Sequence, residues 1–192
     1  MLKKTKMIAV AAAMLLASPA HAALFVVDAK NNSSSGGIGL GTIGITAGET
    51  LTVNVNPTDL WNAGALPRWS NANGLTGNLL ATGTDDSGAL AGTLIGTNFG
   101  LYTQSGLSAP YGALVGEIGG TYKLLGTSYS GLAWGSGTLR LYYWDSNNGD
   151  NTQFVTADVS KVPEPATLGV VATILSMLTG ILLMRRRKAA RI

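Results

Sequence analysis

Leu51, Val53 and Val55 alternate with polar residues along TLTVNV, Thr50 to Val55. That two-residue period predicts a strand with one buried face. The same pattern predicts strands in ALVGEI from Ala113, YKLLG from Tyr122, TLRLYYW from Thr138 and FVTADV from Phe154. Clusters such as NNSSSGG from Asn31 and SNNGDN from Ser146 separate them and carry turn signals. Short strands punctuated in this way predict an all-β fold, an antiparallel β-sandwich. Neither an amphipathic helical period nor an internal repeat interrupts it. Residues 71–111 are rich in Gly, Ser and Thr without a clear period, and are expected to form long loops with weak strands.

The two ends break this pattern. Lys3, Lys4 and Lys6 precede an apolar run from Met7 to Ala17, then Ser18, Pro19 and Ala20-His21-Ala22. This is the order of a secretory signal peptide, and small Ala20 and Ala22 suit signal peptidase, placing the mature start at Ala23. At the other end Leu168 to Met184 carries no charge, and about 17 residues is the lower limit for a membrane-spanning helix. Arg185, Arg186, Arg187 and Lys188 follow, which predicts a cytoplasmic C-terminus with everything before the helix outside. The expected organisation is a signal peptide over 1–22, a β-sandwich domain over 23–161 and a C-terminal sorting segment over 162–192.

Charge changes once the ends are set aside. The whole chain carries a formal +3, but between Ala23 and Lys161 five basic residues face nine acidic ones, a net −4. A nucleic-acid partner is therefore not expected, since a phosphate backbone needs a cationic face. With no cysteine, the exported domain depends on an ordinary hydrophobic core. The single histidine, His21, leaves with the signal peptide, which excludes His/Cys zinc sites and Ser-His or Cys-His nucleophiles.

Directly before the C-terminal apolar run stands VPEP, Val162 to Pro165. Pro163 and Pro165 lack backbone donors and hold their neighbours extended, the form a protease cleft accepts. The Pro163-Glu164-Pro165 motif, the single helix and the basic terminus together resemble the PEP-CTERM family tail. The resemblance implies an exosortase as partner, transient anchoring in the inner membrane, and delivery of the body to the cell surface or outside. A permanent membrane anchor is the alternative.

Candidate chemistry lies in the body. YYWDSNNGDN, from Tyr142, ends a strand in Asp145 and then offers Asn147, Asn148, Asp150 and Asn151, a density of oxygens suited to calcium. It does not follow the EF-hand pattern, and a surface turn built on Asx residues is the alternative. Four tryptophans form a second feature. Trp134 and Trp144 are expected in the core, whereas Trp61 and Trp69 flank a loop containing Gly and Pro and are candidates for stacking on a sugar. Asp85-Asp86 and Glu117 are the carboxylates to weigh for glycoside hydrolysis, but adjacent aspartates do not straddle a bond and Glu117 has no evident partner.

In order, AGETLTVNV with its Trp-containing loop, GALVGEIG, GTLRLYYWD and the Asx-rich loop resemble the small calcium-dependent galactophilic bacterial lectins. The resemblance implies a galactose-binding-domain-like sandwich with calcium held by the side chains of Asp145, Asp150 and Asn151 and by carbonyls of Asn148 and Trp61. Ligand contacts are then expected from Trp61, Trp69, Asp145 and Asp150. A histidine that contacts sugar in those lectins has no counterpart here. The function expected is a non-enzymatic, calcium-assisted module for carbohydrate or extracellular polysaccharide. The alternatives are a structural envelope or biofilm-matrix protein without a ligand and, less favoured by the residues, a glycoside hydrolase.

Overall fold

The computed structural model describes residues 21–162, within a compact unit that spans Ala20–Val162. The expected signal-peptide core, Pro163-Glu164-Pro165 and the expected 168–184 helix lie outside the described residues.

Two four-stranded antiparallel sheets carry the fold. The first has β1 (His21–Asp28), β14 (Phe154–Val162), β3 (Thr50–Val55) and β12 (Ser128–Leu132), in that spatial order. The second has β11 (Thr121–Leu124), β10 (Ala113–Ile118), β13 (Gly137–Trp144) and β2 (Leu40–Ile45). Residues at alternate positions face one another across the gap. Leu51, Val53, Val55, Val155, Ala157 and Val159 of the first sheet share a single core with Leu114, Ile118, Leu139, Leu141 and Tyr143 of the second. The expected all-β antiparallel arrangement is thus present, with its buried face set by the two-residue period.

β10 is buried on both faces, which alternation in its sequence does not announce. Its outward Ala113 and Val115 lie beneath a hairpin of β8 (Leu101–Gln104) and β9 (Leu107–Pro110), together with Trp144, Tyr102 and Tyr122. Trp144 Nε1 donates to Tyr102 O at 2.9 Å, which ties this hairpin to the sheet. The rest of the 71–111 segment pairs β6 (Leu79–Leu80) with β7 (Leu94–Gly96) over a satellite cluster of Leu60, Ala81 and Ile95. Two further short strands, β4 (Trp61–Asn62) and β5 (Trp69–Ser70), pair with each other.

β1 starts before the expected mature N-terminus. Cleavage after Ala22 would remove its first two paired positions and leave the register from Ala23↔Val159 to Asp28↔Phe154.

Candidate functional site

β13 passes the chain from the second sheet to the first through 145–153, and three other segments converge on that connection. Ser33 and Ser34 lie along the end of β13, where Ser34 N donates to Tyr143 O and Ser33 bridges Tyr143. The Ser34 hydroxyl accepts from Asp145 N at 3.1 Å and donates to Asp145 O at 3.0 Å, while Ser35 Oγ donates to Ser146 O. Asn62 and Thr152 exchange both backbone hydrogen bonds, which fixes the far end of the loop against β4. A loop rich in Asx residues is in this way held at both ends.

Asp145 and Asn151 are both buried, at 5% and 2% exposure. Asp145 Oδ1 accepts from Ser146 N at 2.7 Å. Burial raises its pKa above the usual carboxylate range, and the charge of Asp150 adds to this, against the lowering effect of the Ser146 N–H and the Asn151 amide. The Asn151 Nδ2 donates to Ala29 O at 3.1 Å, and its Oδ1 has no partner. Since a carbonyl can only accept, that bond identifies the unpartnered atom as the oxygen.

Asp150 is more open. Its Oδ1 accepts from Asn147 Nδ2 at 2.8 Å, and its Oδ2 lies 3.7 Å from Arg68 Nη1. Gly64, at φ +107°, leaves room for this carboxylate, with which a Cβ there would collide. Beneath the loop the Tyr143 hydroxyl is buried and unpartnered, and its pKa is pushed well up by burial and by the charges of Asp145 and Asp150.

Of the expected site residues, Asp145, Asp150 and Asn151 are therefore brought together. Asn148 stands against Gly36 at the edge of a cleft of about 540 Å³ shared with Lys30. The two tryptophans differ from expectation. Trp61 has no exposed surface; its Nε1 donates to Gly112 O at 2.8 Å and its ring meets Tyr143 edge-on at 4.5 Å. An indole without a free face cannot cover a sugar, so Trp61 is a core residue, and only its main chain adjoins the loop through Asn62. Trp69 packs half-buried on the Leu60, Ala81 and Ile95 cluster. Consecutive strand residues point to opposite faces, and Arg68 takes the face toward Asp150, which turns Trp69 away from it.

Arg68 and Lys30 were not singled out by the sequence. Lys30 Nζ donates to Gly149 O at 3.4 Å, beside Asp150. Both cations were visible only as two of the five in an acidic domain. The carboxylates weighed for hydrolysis have local work instead: Asp85 takes hydrogen bonds from Thr82 and Ser87, Asp86 from Leu60 N, and Glu117 from Gly120 N. Among the described residues no group of three or more His, Cys, Asp or Glu gathers around one point.

No protein-family model matches the chain, and no curated protein does. Among solved structures, the N-terminal domain of EclA, described as a PllA-like lectin, is similar at 20% identity, with a TM-score of 0.45. The alignment covers 72% of this chain and 94% of that one.

Proposed function

We propose that the protein is an exported, exosortase-sorted surface or matrix component whose galactose-binding-domain-like sandwich binds carbohydrate with the help of one calcium ion. What supports the metal reading is the Asn151 Oδ1, buried without a hydrogen-bond donor on a residue whose amide group hydrogen-bonds Asp145. An unsatisfied buried acceptor costs about 1–3 kcal/mol, and a cation ligated there would remove that cost. The donor set fits calcium, which takes hard oxygens from carboxylates, amides and carbonyls. Asp145, Asp150 and Asn151 would hold it through side chains, with Asn148 and Trp61 supplying carbonyls. When bound, the ion would offer coordination positions to two neighbouring sugar hydroxyls. The protein's own part is to keep two carboxylates and an amide fixed on a loop clamped by Ser34, Ser35 and Asn62.

Thermal unfolding of residues 23–161 in a calcium titration tests this. A ligand that binds only the folded state stabilises it by RT ln(1 + [L]/Kd), about 2.7 kcal/mol at a hundredfold excess. The expected outcome is a melting temperature that rises with calcium and a rise that largely disappears in Asp145→Asn. An unchanged melting curve at ~1 mM calcium, within the range of extracellular calcium modules, would overturn the metal and with it this mode of sugar binding.

A further inference from the structure

Two carboxylates, Asp145 and Asp150, belong to the candidate site, and two cations, Arg68 and Lys30, stand against the same loop. The four groups balance. Adding a divalent cation leaves this locus two charges positive on a domain that is otherwise acidic, a field that favours an anionic ligand over a neutral one. The other cations among the described residues are engaged elsewhere: Lys161 with Glu49, Arg140 with Gly39 O, and Lys123 over the Tyr129 and Trp134 rings.

Arg68 is built to meet an anion. Its backbone is fixed on both sides, Arg68 O accepting from Ala63 N and Arg68 bridging Gly96. Its guanidinium lies 4.7 Å from the centroid of the Phe99 ring, itself 42% exposed. Only Nη1 is engaged, by Ala63 O at 3.4 Å and by Asp150 at 3.7 Å, which leaves Nε and Nη2 without a partner among the described residues. A contact that long, with both side chains about two-fifths exposed, holds weakly. Once a metal takes the charge of Asp150, the planar fork is free to receive a carboxylate in bidentate fashion.

We propose that Arg68, assisted by Lys30, makes this site selective for acidic sugars, a uronic acid being the class that presents a ring diol and a carboxylate together. The inference rests on the calcium-assisted sugar site proposed above. Three probes isolate the charge: the methyl glycoside of galacturonic acid, its methyl ester, and methyl galactoside, which keep the ring and differ at C6. Titration calorimetry with calcium present should show the acid bound about tenfold more tightly than the ester, an advantage of one charge-assisted contact. That ratio should fall toward one in Arg68→Met, fall in part in Lys30→Met, and shrink as salt is raised.

Calcium affinity without sugar gives a separate readout. Both substitutions should tighten calcium binding, because each removes a like charge from beside the metal. Calcium-dependent binding of acid and ester with equal affinity would overturn the acidic preference and leave the sugar site standing. A ratio that Arg68→Met does not change, or calcium affinities unmoved in both variants, would overturn the assignment of the preference to Arg68 and Lys30. Failure of all three probes to bind would overturn the preference together with the site.

Discussion

Asp145 is a residue whose cost to the fold depends on what stands beside it. Its carboxyl is buried in the loop that leaves β13, and burial raises its pKa in the folded state. For an acid shifted upward, the stability contribution is complete below the unfolded pKa of about 3.9 and is lost as pH rises through the folded value. Without metal, the protein should therefore lose stability between acid and neutral pH on account of this group. In chelator at neutral pH, Asp145→Asn should be at least as stable as the parent, with the difference closing toward pH 4. In calcium the order should invert, since the ion favours the ionised form. Melting temperatures of both proteins across that range, with calcium and with chelator, check this; a variant weaker under every condition would make Asp145 a purely structural residue. The sequence displayed the oxygens of this loop because Asp and Asn mark themselves in any turn. It did not display the depth of Asp145 and Asn151, which Ser34, Ala29 and Asn62 create from far along the chain. Trp61 shows the same limit in reverse: a tryptophan between turn signals reads as exposed, yet pairing of β4 with β5 folds it beneath Tyr143.

Among the elements, strands with one face in the shared core were legible because the two-residue period records that burial. Thr50–Val55 and Ala113–Ile118 carry the expected bounds, and β13 and β14 lie where alternation placed them, whereas β11 overlaps the expected strand from Tyr122 without placing a residue in that core. β1 was concealed because its start overlaps the signal-peptide reading, and β2 because LGTIGI interrupts its apolar positions with glycine. The pairs β6–β7 and β8–β9 are two to four residues long, too short for a period to register. Loops pose the sharper test. Gly64 and Gly88 both have positive φ, and an alanine at either would meet a backbone penalty of about 1 kcal/mol. Only at Gly64 would the added Cβ also strike Asp150, whereas Gly88 faces open space. Both Gly64→Ala and Gly88→Ala should lower the melting temperature in chelator, but Gly64→Ala alone should lose the calcium-induced rise. Equal calcium responses in the two variants would mean that Asp150 is not a ligand.

At the scale of the whole molecule, the formal charge of +3 conceals an acidic body, with the basic excess confined to the segments that precede and follow it. The proposed routing assigns those charges a purpose: lysines ahead of an apolar run for export, and arginines behind another to halt it. β14 remains paired with β3 as far as Val162↔Thr50, and Pro163, the next residue, has no backbone donor with which to continue the ladder. A processing enzyme acting after Val162 would therefore leave every paired position of β14 intact. A cut several residues earlier would remove Ser160 and Lys161 from β3, and with them the Lys161–Glu49 ion pair. The expected outcome in a host with exosortase is cleavage between Val162 and Pro165, yielding a surface protein whose sandwich melts at the temperature of recombinant 23–162. In a host without it, the chain should stay in the membrane fraction with its C-terminal segment. Mass spectrometry of the surface-exposed protein decides, because recovery there of the intact LLMRRRK segment would make the C-terminal apolar segment a permanent anchor and remove the sorting proposal.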